Sequence, residues 1–346
     1  MRVALLGVGL IGGSIGLAAR ERLGAYVVGW NRSPAALETA LENGAIDEAV
    51  TSLDDIGEAD VAIASVSVDA LPKAVRDLCE RLPSAVVTDV GSTKGALVAA
   101  VDQGHFIGGH PLAGAETAGV AHARADLFVD AIWYLTPTER TPGVLYERLA
   151  RFVAGIGAVP TAIDPGVHDR LMAAISHLPH VVANLLVAQA ADALGGETLP
   201  ATGPSFRDAT RVAGANPDLW AQIYRANRTA LGEQIDDLVR RLGEVRSLLD
   251  DGDLAAWQQQ AATRRAALLE VGLTGGAVRE VRASVPNRPG VVAQLALELG
   301  RAGINITDMS LAPEADNRTG MIALWVGAGD AERAIELIAG LGFPAA

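Results

Sequence analysis

Short apolar runs alternate with stretches of helical spacing through the first half of the chain. Residues 2–6, apolar from Val3 onward, predict a strand buried on both faces. A glycine-rich turn follows, then a helical stretch to about Arg22. Further strands are predicted over 26–30, 61–66, 85–89, 105–107 and 131–135, with helical pattern between most of them. That alternation implies a mostly parallel, Rossmann-type doubly wound α/β sheet with helices on both faces, spanning residues 1–163.

The pattern changes after residue 163. Helical stretches over 181–194, 220–249 and 254–271 take over, and the Leu, Ile and Val of 231–249 recur every three or four positions. An all-helical domain over 164–273 is expected, either packed on the sheet or pairing two subunits into a homodimer. Residues 274–277 read as a linker. Beyond them come a strand over 278–285, a helix to about Arg301, strands from Ile304 and Ala323, a helix over 331–340 and a short last strand. That order is a ferredoxin-like β-α-β-β-α-β unit over 278–346.

Length and charge narrow the function classes. A chain of 346 residues suits two or three domains. Aromatic residues make up only 4%, so Ala, Val, Leu and Ile must build the core. A net charge of -13 argues against nucleic-acid and anionic-membrane partners. Cys79 is the one cysteine, which excludes an intramolecular disulfide; with Leu78 and Leu82 beside it, a buried thiol is expected. The apolar N-terminus resembles a signal peptide, but its five glycines weaken a helix. No run approaches the ~18 apolar residues of a membrane span, and a cytoplasmic location is expected.

Gly7-Val8-Gly9-Leu10-Ile11-Gly12 is a GxGxxG placed between a predicted strand and a predicted helix. Gly7 permits the tight turn, Gly9 lets backbone approach a pyrophosphate, and Gly12 allows close helix–strand packing. Leu10 and Ile11 open the helix, whose positive N-terminus suits the anion. The second strand ends in Asn31-Arg32-Ser33, where an acidic residue would select a ribose 2′-hydroxyl. Arg32 and Ser33 suit a 2′-phosphate, which favours NADP over NAD; a solvated Arg32 leaves NAD acceptable.

Four later segments complete a constellation: Asp89-Val90-Gly91-Ser92-Thr93-Lys94, then Gly108-Gly109-His110-Pro111-Leu112-Ala113-Gly114-Ala115-Glu116, then Ser176-His177-Leu178-Pro179-His180, then Phe206-Arg207-Asp208-Ala209-Thr210-Arg211. With the glycine turn, these resemble the motifs of the prephenate/arogenate dehydrogenase family over roughly residues 1–270. The resemblance implies oxidative decarboxylation of prephenate, a step of tyrosine biosynthesis, with hydride passing to NAD(P). It makes His110 the acceptor of the ring-hydroxyl proton, Ser92 the residue that orients that hydroxyl, and Arg211 a clamp on a substrate carboxylate. It also makes His177 a second substrate-side histidine, Glu116 an acidic neighbour of the catalytic loop, and Trp220 a residue reaching across a dimer interface. A neutral imidazole suits a base at pH 7, and a planar guanidinium suits a carboxylate.

Other readings remain open on the residues alone. Gly-Gly-His-Pro is also a plain tight turn, and Asp208 with Arg211 a plain helical ion pair. Lys94 reads as an exposed helix residue. His177 and His180 stand three apart, but no third ligand is evident at plausible spacing, so no metal is expected. Arogenate is the alternative substrate. A β-hydroxyacid dehydrogenase would usually use a helical-domain lysine, and none follows Lys94. A non-catalytic amino-acid or dinucleotide sensor is the remaining alternative. Two positions depart from the family pattern: Pro204, with no backbone N–H to offer, and Ala115, where threonine is usual.

Residues 284–291 and 303–306 resemble an ACT domain. The resemblance implies an amino-acid effector, tyrosine, held by Asn287, Arg288, Pro289 and Gly290 before the first helix and by Asn305 and Ile306 at the next strand. A purely dimerising module is the alternative.

Overall fold

In the computed structural model, β1 (Arg2–Leu6) is the central strand of a five-stranded parallel sheet. The structure describes all residues except 102, 115–116, 194–201, 272–277, 287–290, 292–293, 296–297, 300–301, 303, 305 and 314–317. Its partners are β2 (Tyr26–Trp30), β3 (Glu48–Val50), β4 (Val61–Ala64) and β5 (Val86–Asp89), in the order β3-β2-β1-β4-β5. Strand periodicity divides β1 between two cores: Val3 and Leu5 enter one cluster, Ala4 and Leu6 the other. Helices α1 (Leu10–Leu23), α2 (Pro34–Glu42) and α5 (Gly143–Gly155) cover the first face; α3 (Leu71–Arg81) and α4 (Gly95–Ala100) cover the second. The winding reverses between β1 and β4, which opens a crevice at the carboxyl ends of the strands, where such sheets bind ligands.

A second sheet holds β6 (Gly108–Pro111), β7 (Ile132–Thr136) and β8 (Val159–Ala162), antiparallel and then parallel. The strand expected over 105–107 is displaced. Phe106 forms one parallel bridge to Val87, and the ladder with β7 falls on Gly108–Pro111. Two adjacent glycines carry little strand propensity, which hides β6 from a sequence reading. β8 contains Pro160, tolerated because it is an edge strand.

Asp164 caps α6 (Pro165–Met172) by accepting from the N–H groups of Gly166 and Val167. A π turn (Ala173–His177) then leads into α7 (Leu178–Ala193). Pro179 cannot donate to the carbonyl four residues back, and the wider turn accommodates it. An 18-residue stretch within the continuous helix Pro165–Ala193 has a mean hydropathy of 1.6, enough by length and composition alone to cross a membrane. Ser176, His177, Pro179, His180 and Asn184 interrupt the helix, so it holds no unbroken apolar run of ~18 residues. The helix expected over 220–249 is two, α9 (Pro217–Ala226) and α10 (Arg228–Asp251), following α8 (Pro204–Thr210). The break falls at the buried Asn227.

The chain divides into two compact units, Met1–Arg240 and Arg241–Ala346. In the second, α11 (Leu254–Val271) precedes β9 (Val278–Pro286), β10 (Ile306–Pro313) and β11 (Thr319–Gly327), ordered β10-β11-β9 and all antiparallel. Ala345 adds an antiparallel bridge to Ala283 on the free edge of β9. Val291, Leu295 and Leu299, spaced by one helical turn, join α12 (Ala331–Gly340) in a core with Val281, Ile322 and Leu324.

Candidate active site

Gly7 ends β1 at φ 100°, a conformation open to glycine, and its N–H donates to the Trp30 carbonyl. A Cβ on Gly12 would stand 2.1 Å from the Gly7 carbonyl oxygen, so α1 docks against the turn only because Gly12 lacks a side chain, and a Cβ on Gly7 would meet the Ser65 carbonyl oxygen at 2.2 Å. No side chain caps α1 and no acid lies in its first turn, so its leading N–H groups face the crevice. Those N–H groups and the open space beside Gly9 fit a pyrophosphate. Asn31 braces the turn from β2, donating to the Val8 carbonyl at 3.0 Å and accepting from the Ser33 N–H at 3.1 Å. Arg32 is exposed beside it, and the Ser33 hydroxyl caps α2.

Across the crevice, a buried ion pair sets the position of His110. Asp89 ends β5, accepts the N–H of Gly91 at 2.7 Å and of Gly109 at 3.0 Å, and bonds the Lys94 ammonium. Lys94 also donates to the Gly109 carbonyl at 2.8 Å. Lys94 is fully buried, which corrects the expectation of an exposed helix residue: it is the counter-charge of Asp89. Gly109 fits beneath because a Cβ there would meet the Asp89 carbonyl oxygen at 2.5 Å. His110 is therefore presented at the end of β6 by groups with little freedom to move.

The His110 ring is half-buried, and its Nδ1 lies 2.9 Å from His168 Nε2. His168 Nδ1 in turn lies 2.9 Å from Asp169 Oδ1. Asp169 also accepts the backbone N–H groups of Lys94 at 2.7 Å and Gly95 at 2.8 Å. Burial pushes the Asp169 carboxyl up, but the bonds from His168 and the two amides outweigh it and hold it below its usual range. Burial, and then the neighbouring His168, Lys94 and His177, push His110 well below an ordinary histidine, so it is neutral at pH 7.

One cleft of about 530 Å³ runs from Gly9, Leu10 and Ile11 past Ser92 to His110. An adjoining cleft of about 530 Å³ shares Ser92 and His110 and is walled by Ser176, His177, His180 and Trp220. Trp220 stacks on His180 with ring centroids 3.4 Å apart, so it shares a cleft with His110 of the same chain. Arg211 begins the turn Arg211–Gly214 and is exposed, outside both linings; after burial, its charge is the second cause lowering His180. Among the described residues, no group of three or more His, Cys, Asp or Glu is arranged to hold a metal.

Residues 15–161 match the nucleotide-binding domain of prephenate dehydrogenase, and residues 164–260 match its dimerization domain. The chain belongs to the prephenate dehydrogenase family. A prephenate dehydrogenase of Bacillus subtilis is 30% identical over 93% of this chain and 91% of its own length. The prephenate dehydrogenase of Aquifex aeolicus, solved with hydroxyphenyl propionate and NAD+, has a TM-score of 0.71 at 29% identity, covering 78% of this chain and 98% of its own. An arogenate dehydrogenase of Synechocystis has a TM-score of 0.64 at 32% identity, covering 79% of this chain and 98% of its own.

Of the residues expected from sequence, Gly9, Leu10, Ile11, Ser92, His110, His177 and Trp220 line the joined clefts, with Asn31 bracing the turn. Glu116, Asn287, Arg288, Pro289, Gly290 and Asn305 lie outside the described residues; Ile306 is half-buried at the start of β10. Sequence reading missed His168, Asp169, Asn227 and the role of Lys94. The one available signal was the adjacent His168-Asp169 pair in α6.

His177 is 99% inaccessible and its Nδ1 faces Asn227 Nδ2 at 3.1 Å, with burial pushing its pKa down to about 4 from 6.5. The unfolded chain binds a proton here that the folded protein refuses between those values. Stability should therefore fall as pH drops from about 6.5 to about 4. The melting temperature of His177→Gln should fall less over that window than that of the parent; identical slopes would show that His177 does not resist protonation.

Proposed function

We propose that the chain carries out oxidative decarboxylation of prephenate to 4-hydroxyphenylpyruvate in tyrosine biosynthesis. The observation that carries this is the continuity of the glycine turn, Ser92 and His110 along one cleft. A bound nicotinamide supplies the hydride acceptor. Neutral His110 takes the proton of the ring hydroxyl as the C–H bond breaks, and Ser92 orients that hydroxyl. Loss of carbon dioxide then aromatises the ring. His177 and Trp220 wall the substrate side. Arg211, near enough to His180 to act on it electrostatically, is assigned the substrate carboxylate, and Glu116 the acidic position beside the catalytic loop.

Arogenate is the second reading, favoured by the 32% identity to the Synechocystis enzyme. NADP is the preferred cofactor on the strength of exposed Arg32 and the absence of an acid at Asn31. The domains are a dinucleotide-binding domain over 1–163, a helical domain over 164–273 that pairs two copies, and a regulatory domain over 278–346. The match of residues 164–260 to a dimerization domain supports pairing, as do the exposed Ile175, Leu185 and Val239. The C-terminal strand order, Ala345 beside β9, then β11, then β10, supports the ferredoxin-like ACT reading. The match to the Bacillus subtilis relative, over 93% of this chain, extends past residue 260. Tyrosine is the assigned effector.

The test is the initial rate of nicotinamide reduction with NAD or NADP, prephenate or arogenate, with and without tyrosine. Prephenate turnover is expected, faster with NADP and slowed by tyrosine. No turnover in any combination by folded, cofactor-bound protein would overturn the reading.

A further inference from the structure

A carboxylate can only accept hydrogen bonds, so the ring nitrogen of His168 facing Asp169 Oδ1 must carry a proton. A neutral imidazole carries a single ring proton, and in His168 that proton is committed to Asp169. His168 Nε2 is therefore a lone pair, and His110 Nδ1 must be the donor across the 2.9 Å gap. That leaves the Nε2 edge of His110 unprotonated toward the cleft it lines.

The second histidine is set the opposite way by the same residue. The Asn227 side-chain nitrogen lies 2.7 Å from the Asp169 backbone carbonyl, which can only accept, and this contact identifies it as the amide nitrogen. Its other N–H points at His177 Nδ1, 3.1 Å away. His177 Nδ1 is thus an acceptor, and the proton of His177 sits on Nε2.

We propose that Asp169 fixes opposite tautomers in the two cleft histidines, through His168 for His110 and through Asn227 for His177. His110 then offers a lone pair and His177 a donor N–H. The pair suits a substrate with a hydroxyl to be deprotonated and a separate carbonyl or carboxylate oxygen to be held. His168, Asp169 and Asn227 are positioning residues. His110 stays oriented when it takes the proton at Nε2, because its Nδ1–H still donates to His168; no proton need travel to Asp169. The charged and titratable groups facing His110 are Lys94, His168 and His177, with Asp89 and Asp169 behind them. The catalytic meaning rests on the proposed role of His110, whereas the tautomers stand independently of any activity.

The test is nitrogen NMR on full-length protein labelled with 15N at its six histidines, joined to kinetics of two variants. The parent should show His110 protonated at Nδ1 and His177 at Nε2. His168→Phe should lower kcat about 100-fold with KM little changed, and its His110 should populate both tautomers. His168→Gln, which keeps a donor for Asp169 and an acceptor for His110, should recover most of that loss although it cannot carry a proton. His110 protonated at Nε2 in the parent, His177 protonated at Nδ1, or a fully active His168→Phe would each overturn the proposal. The expected tautomers in a protein that turns over neither substrate would instead overturn the reading of function and leave the network standing.

Discussion

Replacing His110 with Asn is expected to lower kcat by at least ~100-fold while leaving dinucleotide affinity within a few-fold of the parent. Asn can accept a hydrogen bond from the substrate hydroxyl, but it cannot take the proton. The loss should therefore fall on the chemical step. The fold should tolerate the change, since the strand is held by backbone groups: the Gly109 N–H and carbonyl bonded by Asp89 and Lys94. Cofactor affinity measured by fluorescence or calorimetry, beside single-turnover rates, separates the two effects. Turnover near that of the parent would remove His110 from the role of base. Equal losses of turnover and cofactor binding would point to a collapsed loop.

The parts legible from sequence are those where one residue type answers one local demand. The glycine turn was readable because Gly7 has a positive φ and Gly12 has no space for a Cβ, and no other residue substitutes at either. The β1 strand was readable because burial on both faces leaves no polar position from Val3 to Leu6. Cys79 proved buried, with its thiol pushed up to about 12 by desolvation, as its leucine neighbours implied. The illegible parts depend on partners far apart in sequence. Lys94 looks like any surface lysine until Asp89 and the Gly109 carbonyl are brought to it. His168 gains meaning only when a strand 58 residues earlier delivers His110 to its ring. β6 lies beyond the strand expected over 105–107 because its glycines serve close approaches, Gly108 to Thr136 and Gly109 to Asp89, against their own propensity. The sequence thus displays steric demands within one element and conceals the hydrogen-bonded alliances between elements.

Gly9→Ala should weaken dinucleotide binding about 10-fold or more without lowering the melting temperature, the reverse of what the neighbouring glycine should do. Gly9 has φ -108° and ψ -150°, an extended conformation that alanine adopts without strain. Leaving aside its chain neighbours, no atom of the described residues lies within 4 Å of where its Cβ would stand. The protein itself therefore has no need of a glycine here. The added methyl projects into the crevice at the head of α1, where a pyrophosphate must approach the N–H groups. Forcing one methyl into a close contact typically costs about 1–3 kcal/mol, which corresponds to roughly 5- to 150-fold in affinity. Gly12→Ala, by contrast, drives a Cβ to 2.1 Å from the Gly7 carbonyl oxygen and should lower the melting temperature. Dinucleotide titration and thermal unfolding of both variants give the contrast directly. If Gly9→Ala binds the cofactor as the parent does, the pyrophosphate does not sit at this turn, and the cofactor must be placed elsewhere along the crevice.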